Sequence, residues 1–134
     1  MEPSMRKKTK GKTDALSAES RSIPQEEWES FLTGFSARHI GWLIRIETHD
    51  RVTEEHVSSG ETLFQSIEYD LEDEKNPRIN VVVRFDNKVV KHILYRPSKM
   101  TLASSEEAGM QSLHVSTVNT ETDVHLRMPA QQKS

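Results

Sequence analysis

The sequence holds no cysteine in 134 residues, which excludes disulfides, thiolate nucleophiles and cysteine-ligated zinc or iron–sulfur centres. Glycine is scarce, five in all, and none of the five falls in a phosphate-cradling loop. No apolar run approaches the roughly 20 residues that span a bilayer, and the N-terminal residues lack the apolar core of a secretory signal. A cytoplasmic location is the expectation. No serine sits between a strand and a helix in the manner of a nucleophile elbow, so no residue is named as catalytic and no cofactor is expected.

What is present is an ordinary balance of 34% hydrophobic and 29% charged residues, the range of one small globular domain. Charge is uneven. Residues 1–21 carry six basic side chains against three acidic, a net of +3, so with −3 for the whole chain the remainder holds −6. This stretch has almost no large apolar side chain beyond Met5 and Leu16. It cannot offset the entropy lost on ordering, and it is expected as a disordered basic tail. A single domain over 22–128 and a frayed tail over 129–134 complete the division.

From Ile23 onward the pattern is helical: Trp28, Phe31, Leu32 and Phe35 fall at i, i+3, i+4 and i+7, one stripe of a 3.6-residue period. Pro24 suits a first turn, and Glu26 and Glu27 complement the positive end of the macrodipole. Ser22 with Gln25 would form a capping box, but a residue before proline disfavours helix, so Ile23 is the favoured N-cap. Arg38, His39 and Gly41 close the helix, giving a span of 24–39. Gly34 costs about 1 kcal/mol relative to alanine within it, through plain weakness or through close approach of a neighbouring backbone.

After Gly41 the period becomes 2, with Trp42, Ile44 and Ile46 on one face. Residues 50–60 read as a polar loop with a short extended piece around His56 and Val57. Strands follow over 63–71 and 78–85, separated by a turn that ends in Pro77. Asp86-Asn87 reads as a two-residue hairpin loop that pairs Val83 with Val90, Val81 with His92 and Ile79 with Leu94. A fifth short strand over 99–103 precedes a last hairpin. There a two-residue loop at Asn119-Thr120 opposes Val115 with Val124, and a four-residue loop shifts the partners by two. The expected fold is α+β: one N-terminal amphipathic helix packed on an antiparallel meander of about six strands. The pattern leaves open whether that sheet curls into a partial barrel.

The segment Ile23-Pro24, Trp28, Phe31-Leu32, Phe35-Ser36 and Gly41-Trp42, followed by alternating strands, resembles the small bacterial proteins catalogued as domain of unknown function fifty-three thirty-five. The resemblance covers most of 23–128 and is strongest at the start of the domain. It implies no activity, cofactor or catalytic residue. Independently of it, Trp28 and Trp42 read as packing residues between helix and sheet.

The densest ligating set is His49, Asp50, Glu54, Glu55 and His56. Imidazole and carboxylate suit zinc or another divalent ion, so His49, Asp50, Glu54 and His56 are the candidate metal ligands. Their spacing matches no helical metal motif, and a solvated loop is the plainer reading. His114 and His125 are opposed in the two-residue register and form a second, weaker pair. His92 falls on the core face, where a hydrogen-bonded structural histidine is the plainer reading than a base. The carboxylates Asp70, Glu72, Asp73 and Glu74 border a turn that simply solvates them. Arg6, Lys7, Lys8, Lys10 and Lys12 are candidate phosphate contacts, but no aromatic residue is interleaved to stack on bases. The expectation is therefore a non-enzymatic module that binds a protein partner or itself through a sheet edge, with metal and nucleic-acid binding as alternatives.

Overall fold

The computed structural model describes residues 19–105 and 109–129. The first element among the described residues is a strand, β1 (Glu19–Ser22). Three of its residues belong to the stretch expected as tail, and this corrects the N-terminal boundary. Arg21, counted there as a tail cation, lies over the Phe31 ring at 5.6 Å. The helix expected from Pro24 begins with a tighter 3₁₀ turn (Gln25–Glu27) and becomes α-helical as α1 (Trp28–His39). No side chain caps either start. Ile23 is buried, and its carbonyl accepts the indole N–H of Trp28 at 2.8 Å.

Trp28, Leu32, Phe35 and His39 are the buried face of α1, as the 3.6-residue stripe requires. The helix ends in a tight turn in which the Trp42 N–H reaches the His39 carbonyl at 3.0 Å. Gly41 takes φ +88° at the third position of that turn, where a type II geometry demands a left-handed residue.

Eight further strands follow: β2 (Leu43–Asp50), β3 (His56–Ser58), β4 (Thr62–Asp70), β5 (Arg78–Phe85), β6 (Lys88–Tyr95), β7 (Pro97–Ser105), β8 (Met110–Thr117) and β9 (Thr120–Arg127). All pair antiparallel in one sheet of order β1-β7-β8-β9-β2-β4-β5-β6, with β3 beside β2. The α+β class holds. A plain meander of about six strands does not, because the last strand returns to pair with β2 along its whole length and a strand precedes the helix.

The sheet curls strongly. Arg96 alone joins β6, at one end of the strand order, to β7, next to the other end, so these distant strands must meet at that corner. Its ladder does not close: β1 and β6 each have one strand neighbour among the described residues. The curl starts where β4 leaves β2. The two share only Leu43↔Leu63 and Ile44↔Thr62, and a bulge between Phe64 and Ser66 then bends β4 away. The edge so exposed is covered by α1, whose Ser36 hydroxyl accepts from the Ile67 N–H at 2.8 Å and donates to the Ile67 carbonyl at 3.1 Å.

The hairpin register read from Asp86-Asn87 is the one observed, Val83↔Val90, Val81↔His92 and Ile79↔Leu94, with φ of 52° and 65° in the loop. The last hairpin turns one residue earlier than expected, at Val118-Asn119, so Val115 faces Thr122 and Leu113 faces Val124. Thr117 and Thr120 close it with a 2.7 Å bond between their hydroxyls.

Candidate functional site: a polar mouth and an outer-face network

Inside the curled sheet, Ile44, Ile79, Val81, Leu113, Val115 and Val124 make a fully buried apolar core. Toward the β8–β9 turn the inward positions change to hydroxyls. Thr48 on β2 and Thr122 on β9 are joined at 3.2 Å, beside the Thr117–Thr120 pair. A cavity of about 420 Å³ opens there between β6 on one side and β2 with the β8–β9 turn on the other. Ile46 and Leu94 contribute apolar wall, Thr48, Thr117, Thr120 and His92 polar wall, and Asp50, Tyr95, Arg96 and Asn119 stand around it.

His92 is half-buried in this wall, and burial alone pushes its imidazole below the ordinary 6.5. The core-facing position expected from the sequence is observed; the structural hydrogen bond expected with it is not found among the described residues. Asp50 accepts at Oδ1 from the Val52 and Thr53 N–H groups at 2.8 and 3.0 Å, and these bonds, Thr53 first, hold its carboxyl below the usual range. Arg96 has φ +56° in the one-residue corner, where its N–H bonds the Pro77 carbonyl at 2.9 Å. Arg51 fixes the facing turn, with its guanidinium donating to the Thr117 and Val118 carbonyls at 2.7 and 2.6 Å.

The candidate metal ligands divide. His49 and His56 are cross-strand partners on β2 and β3, with ring centroids 6.0 Å apart. Asp50, the next residue along β2, points to the opposite side of the strand, as the period of 2 dictates. Glu54 is a turn residue at φ 65°. Among the described residues no three His, Cys, Asp or Glu side chains are placed to hold an ion together.

His114 and His125 do share the outer face, but the earlier turn separates them by setting His114 opposite Asp123 and His125 opposite Ser112. His114 touches Asp123 Oδ1 through Nδ1 at 2.7 Å and Glu121 Oε1 through Nε2 at 2.6 Å. A neutral imidazole has one N–H, so both contacts are donor bonds only in the protonated ring. Glu121 also accepts from Ser116 at 2.6 Å and pairs with Arg51. Nearby, Ser112 Oγ and His125 Nδ1 lie 2.9 Å apart, and His125 Nε2 is 3.3 Å from Glu47 Oε1.

That serine–histidine–carboxylate chain has the connectivity of an activated nucleophile. It lies on the outer surface of regular ladders, where the surrounding N–H groups are spent on strand pairing, so none of the described residues supplies an oxyanion cradle. Sequence reasoning missed Glu47, Arg51, Ser112, Ser116, Glu121 and Asp123. The alternation Ser112, His114, Ser116 and Glu121, Asp123, His125 carried the signal, one polar residue at every second position.

Asp70 is not simply solvated. Its Oδ1 accepts from the Glu72 N–H, and its Oδ2 takes Arg78 at 2.9 Å and buried Asn80 at 3.1 Å. The Glu72 and Asn80 bonds, more than the Arg78 charge, hold its carboxyl low. The candidate phosphate contacts Arg6, Lys7, Lys8, Lys10 and Lys12 lie outside the described residues, as do residues 130–134 of the tail expected over 129–134. Among the described residues no helix is long and apolar enough to cross a membrane.

A model described as a family of unknown function, DUF5335, matches residues 19–134. No curated protein and no solved structure matches the chain.

Proposed function

The chain belongs to DUF5335, a family of unknown function, and we propose that it works as a non-catalytic binding module that takes up a strand from another polypeptide along β6. The observation that carries this reading is the register of β6. Phe85 and Lys88 flank a two-residue loop and are paired, which makes them a hydrogen-bonded pair. Lys88, Val90, His92 and Leu94 therefore bond to β5, and the backbone groups of Val89, Lys91, Ile93 and Tyr95 point away from it. Phe85, Val89 and Tyr95 beside this edge are each more than half exposed. Lys88, Lys91 and Arg84, the cross-strand partner of Val89, make the edge basic on an acidic body. An extended segment of alternating apolar and acidic residues is its complement.

The test uses a synthetic peptide of alternating glutamate and valine with the full chain. Strand addition protects the Val89, Lys91, Ile93 and Tyr95 amides from exchange, and a lysine–valine peptide protects them less. Lys91→Pro removes one outward donor at a position that an edge strand tolerates, and abolishes the protection. Outward amides that exchange alike with and without peptide sink the reading.

The opposed His49 and His56 favour a second reading, capture of a divalent transition ion by two imidazoles. Native mass spectrometry with zinc, nickel and manganese decides it: no retained ion, or retention unchanged in His49→Ala, ends it.

A further inference from the structure

We infer that the cavity between β6 and the β8–β9 turn is a binding site for a neutral, polyhydroxylated small molecule, a sugar of one or two rings. A structural core that needed only to be filled would continue the Ile44, Val115 and Val124 layer to the end of the sheet. Instead Thr48, Thr117 and Thr120 bring three hydroxyls to the cavity. Thr48 bonds Thr122, and Thr117 bonds Thr120 while also accepting from the Thr120 N–H at 3.1 Å, which leaves each hydroxyl pair with one donor and at least two lone pairs to spare.

His92 faces them from β6. It is the one half-buried imidazole in the wall and has no hydrogen-bond partner among the described residues. Its ring nitrogens are not fully buried, so a ligand that enters the cavity can take the place of water on them. A neutral imidazole offers one donor and one acceptor, the two functions that a pair of sugar hydroxyls answers.

Charge and shape narrow the class. The deep wall is uncharged, and the two ions around the cavity, Asp50 and Arg96, are of opposite sign, so neither an anion nor a cation is selected. Ile46 and Leu94 form apolar strips beside the hydroxyls, matching a ring that alternates C–H and O–H flanks. A purely apolar ligand would strip water from the threonines and His92 without replacing its bonds. The volume of about 420 Å³ sits in the usual range of roughly 300–1,000 Å³ for small-molecule sites.

The inference does not rest on strand addition. Thr48, Thr117 and Thr120 lie on the wall across from β6, and their methyl signals report occupancy of the cavity separately from pairing at the edge. The experiment titrates the full chain with glucose, maltose and N-acetylglucosamine, and with charged glucuronate and glucosamine, while NMR follows the threonine methyls and the His92 ring. A saturable shift confined to Thr48, Thr117, Thr120 and His92 with a neutral sugar is the expected result. His92→Phe weakens that binding about tenfold or more, the scale of one lost hydrogen bond. His92→Gln, which keeps a donor and an acceptor, retains part of it. A thermal melt of each variant separates lost binding from lost fold, and Lys75→Ala, in the exposed turn before β5, leaves the affinity unchanged. The proposal is overturned if none of the neutral sugars gives saturable shifts at these residues. Equal or tighter binding of a charged sugar, or full affinity in a folded His92→Phe, also overturns it.

Discussion

Replacing Ser36 with alanine removes a hydroxyl that serves both backbone groups of Ile67, at 2.8 and 3.1 Å, where β4 has turned away from β2. The Ile67 side chain is fully packed, so its backbone cannot move out to water without disturbing the core. Each hydrogen bond contributes about 0.5–1.5 kcal/mol net, and a buried group left unpaired costs about 1–3 kcal/mol. Ser36 is half-buried, so water recovers part of this, and alanine's better helix propensity returns roughly 0.5 kcal/mol. The balance is a loss of about 2 kcal/mol, or roughly 10 °C in Tm for a domain of this size. Urea unfolding followed by circular dichroism measures it. The control is Ser30→Ala, one and a half turns earlier on α1, whose exposed hydroxyl reaches only the Glu27 carbonyl at 3.3 Å. Equal stability of the two variants, or a Ser36→Ala loss under about 0.5 kcal/mol, would refute the role given to this hydroxyl in sealing the β4 edge.

Gly34→Ala should stabilise the fold by about 0.5–1 kcal/mol, because the added methyl meets only the tip of the exposed Arg38 side chain, at 3.1 Å; a lower urea midpoint would show that Arg38 cannot move aside. His39, packed between Phe35 and Trp42, is held below 6.5 by burial, with the Arg38 charge adding to this and the Phe35 carbonyl opposing it. The unfolded chain then takes up a proton before the folded one does, so stability is complete above 6.5 and falls as pH drops through it. His92 acts in the same direction. Urea midpoints at pH of about 7.5 and about 5.5 should differ less in His39→Phe than in the parent chain, and an equal difference would dismiss His39 as a source. Arg51→Met should speed amide exchange at Asn119 and Thr120 by freeing the β8–β9 turn from its guanidinium, while exchange at Ile79 and Val81 stays unchanged; unaltered exchange in the turn would mean the strands alone hold it.

Local patterns were legible where one rule acted on neighbouring residues. The stripe from Trp28 to Phe35, the left-handed Gly41 and the Asp86-Asn87 hairpin each depend on a few consecutive residues, and each is found as read. The β8–β9 register was not legible, because a two-residue loop at 118–119 and one at 119–120 keep the same residues facing inward. Pairing between Thr117 and Thr120 decides between them, and with it whether His114 meets His125 or Asp123. The His49–His56 pairing was half visible: the residues were marked as a cluster, but only the short β3 sets the two rings opposite each other, and the continuation of β2 through Asp50 turns that carboxylate the other way.

By itself, then, the sequence determined the helix and its buried face, the antiparallel strands with their alternating faces, the lack of thiol chemistry and the family. Hydrophobic period, turn residues and composition are properties of short stretches, and they need no knowledge of what lies across the molecule. Only the tertiary structure decided that the last strand returns to β2, that the sheet curls until Arg96 links one end strand to the strand next to the other end, and that hydroxyls from β2, β8 and β9 face His92 across one cavity. Those outcomes depend on contacts between residues up to 70 or more apart in the chain, such as Thr48 with Thr122, which arise when the bulge in β4 and the cover supplied by Ser36 bend one sheet around one core.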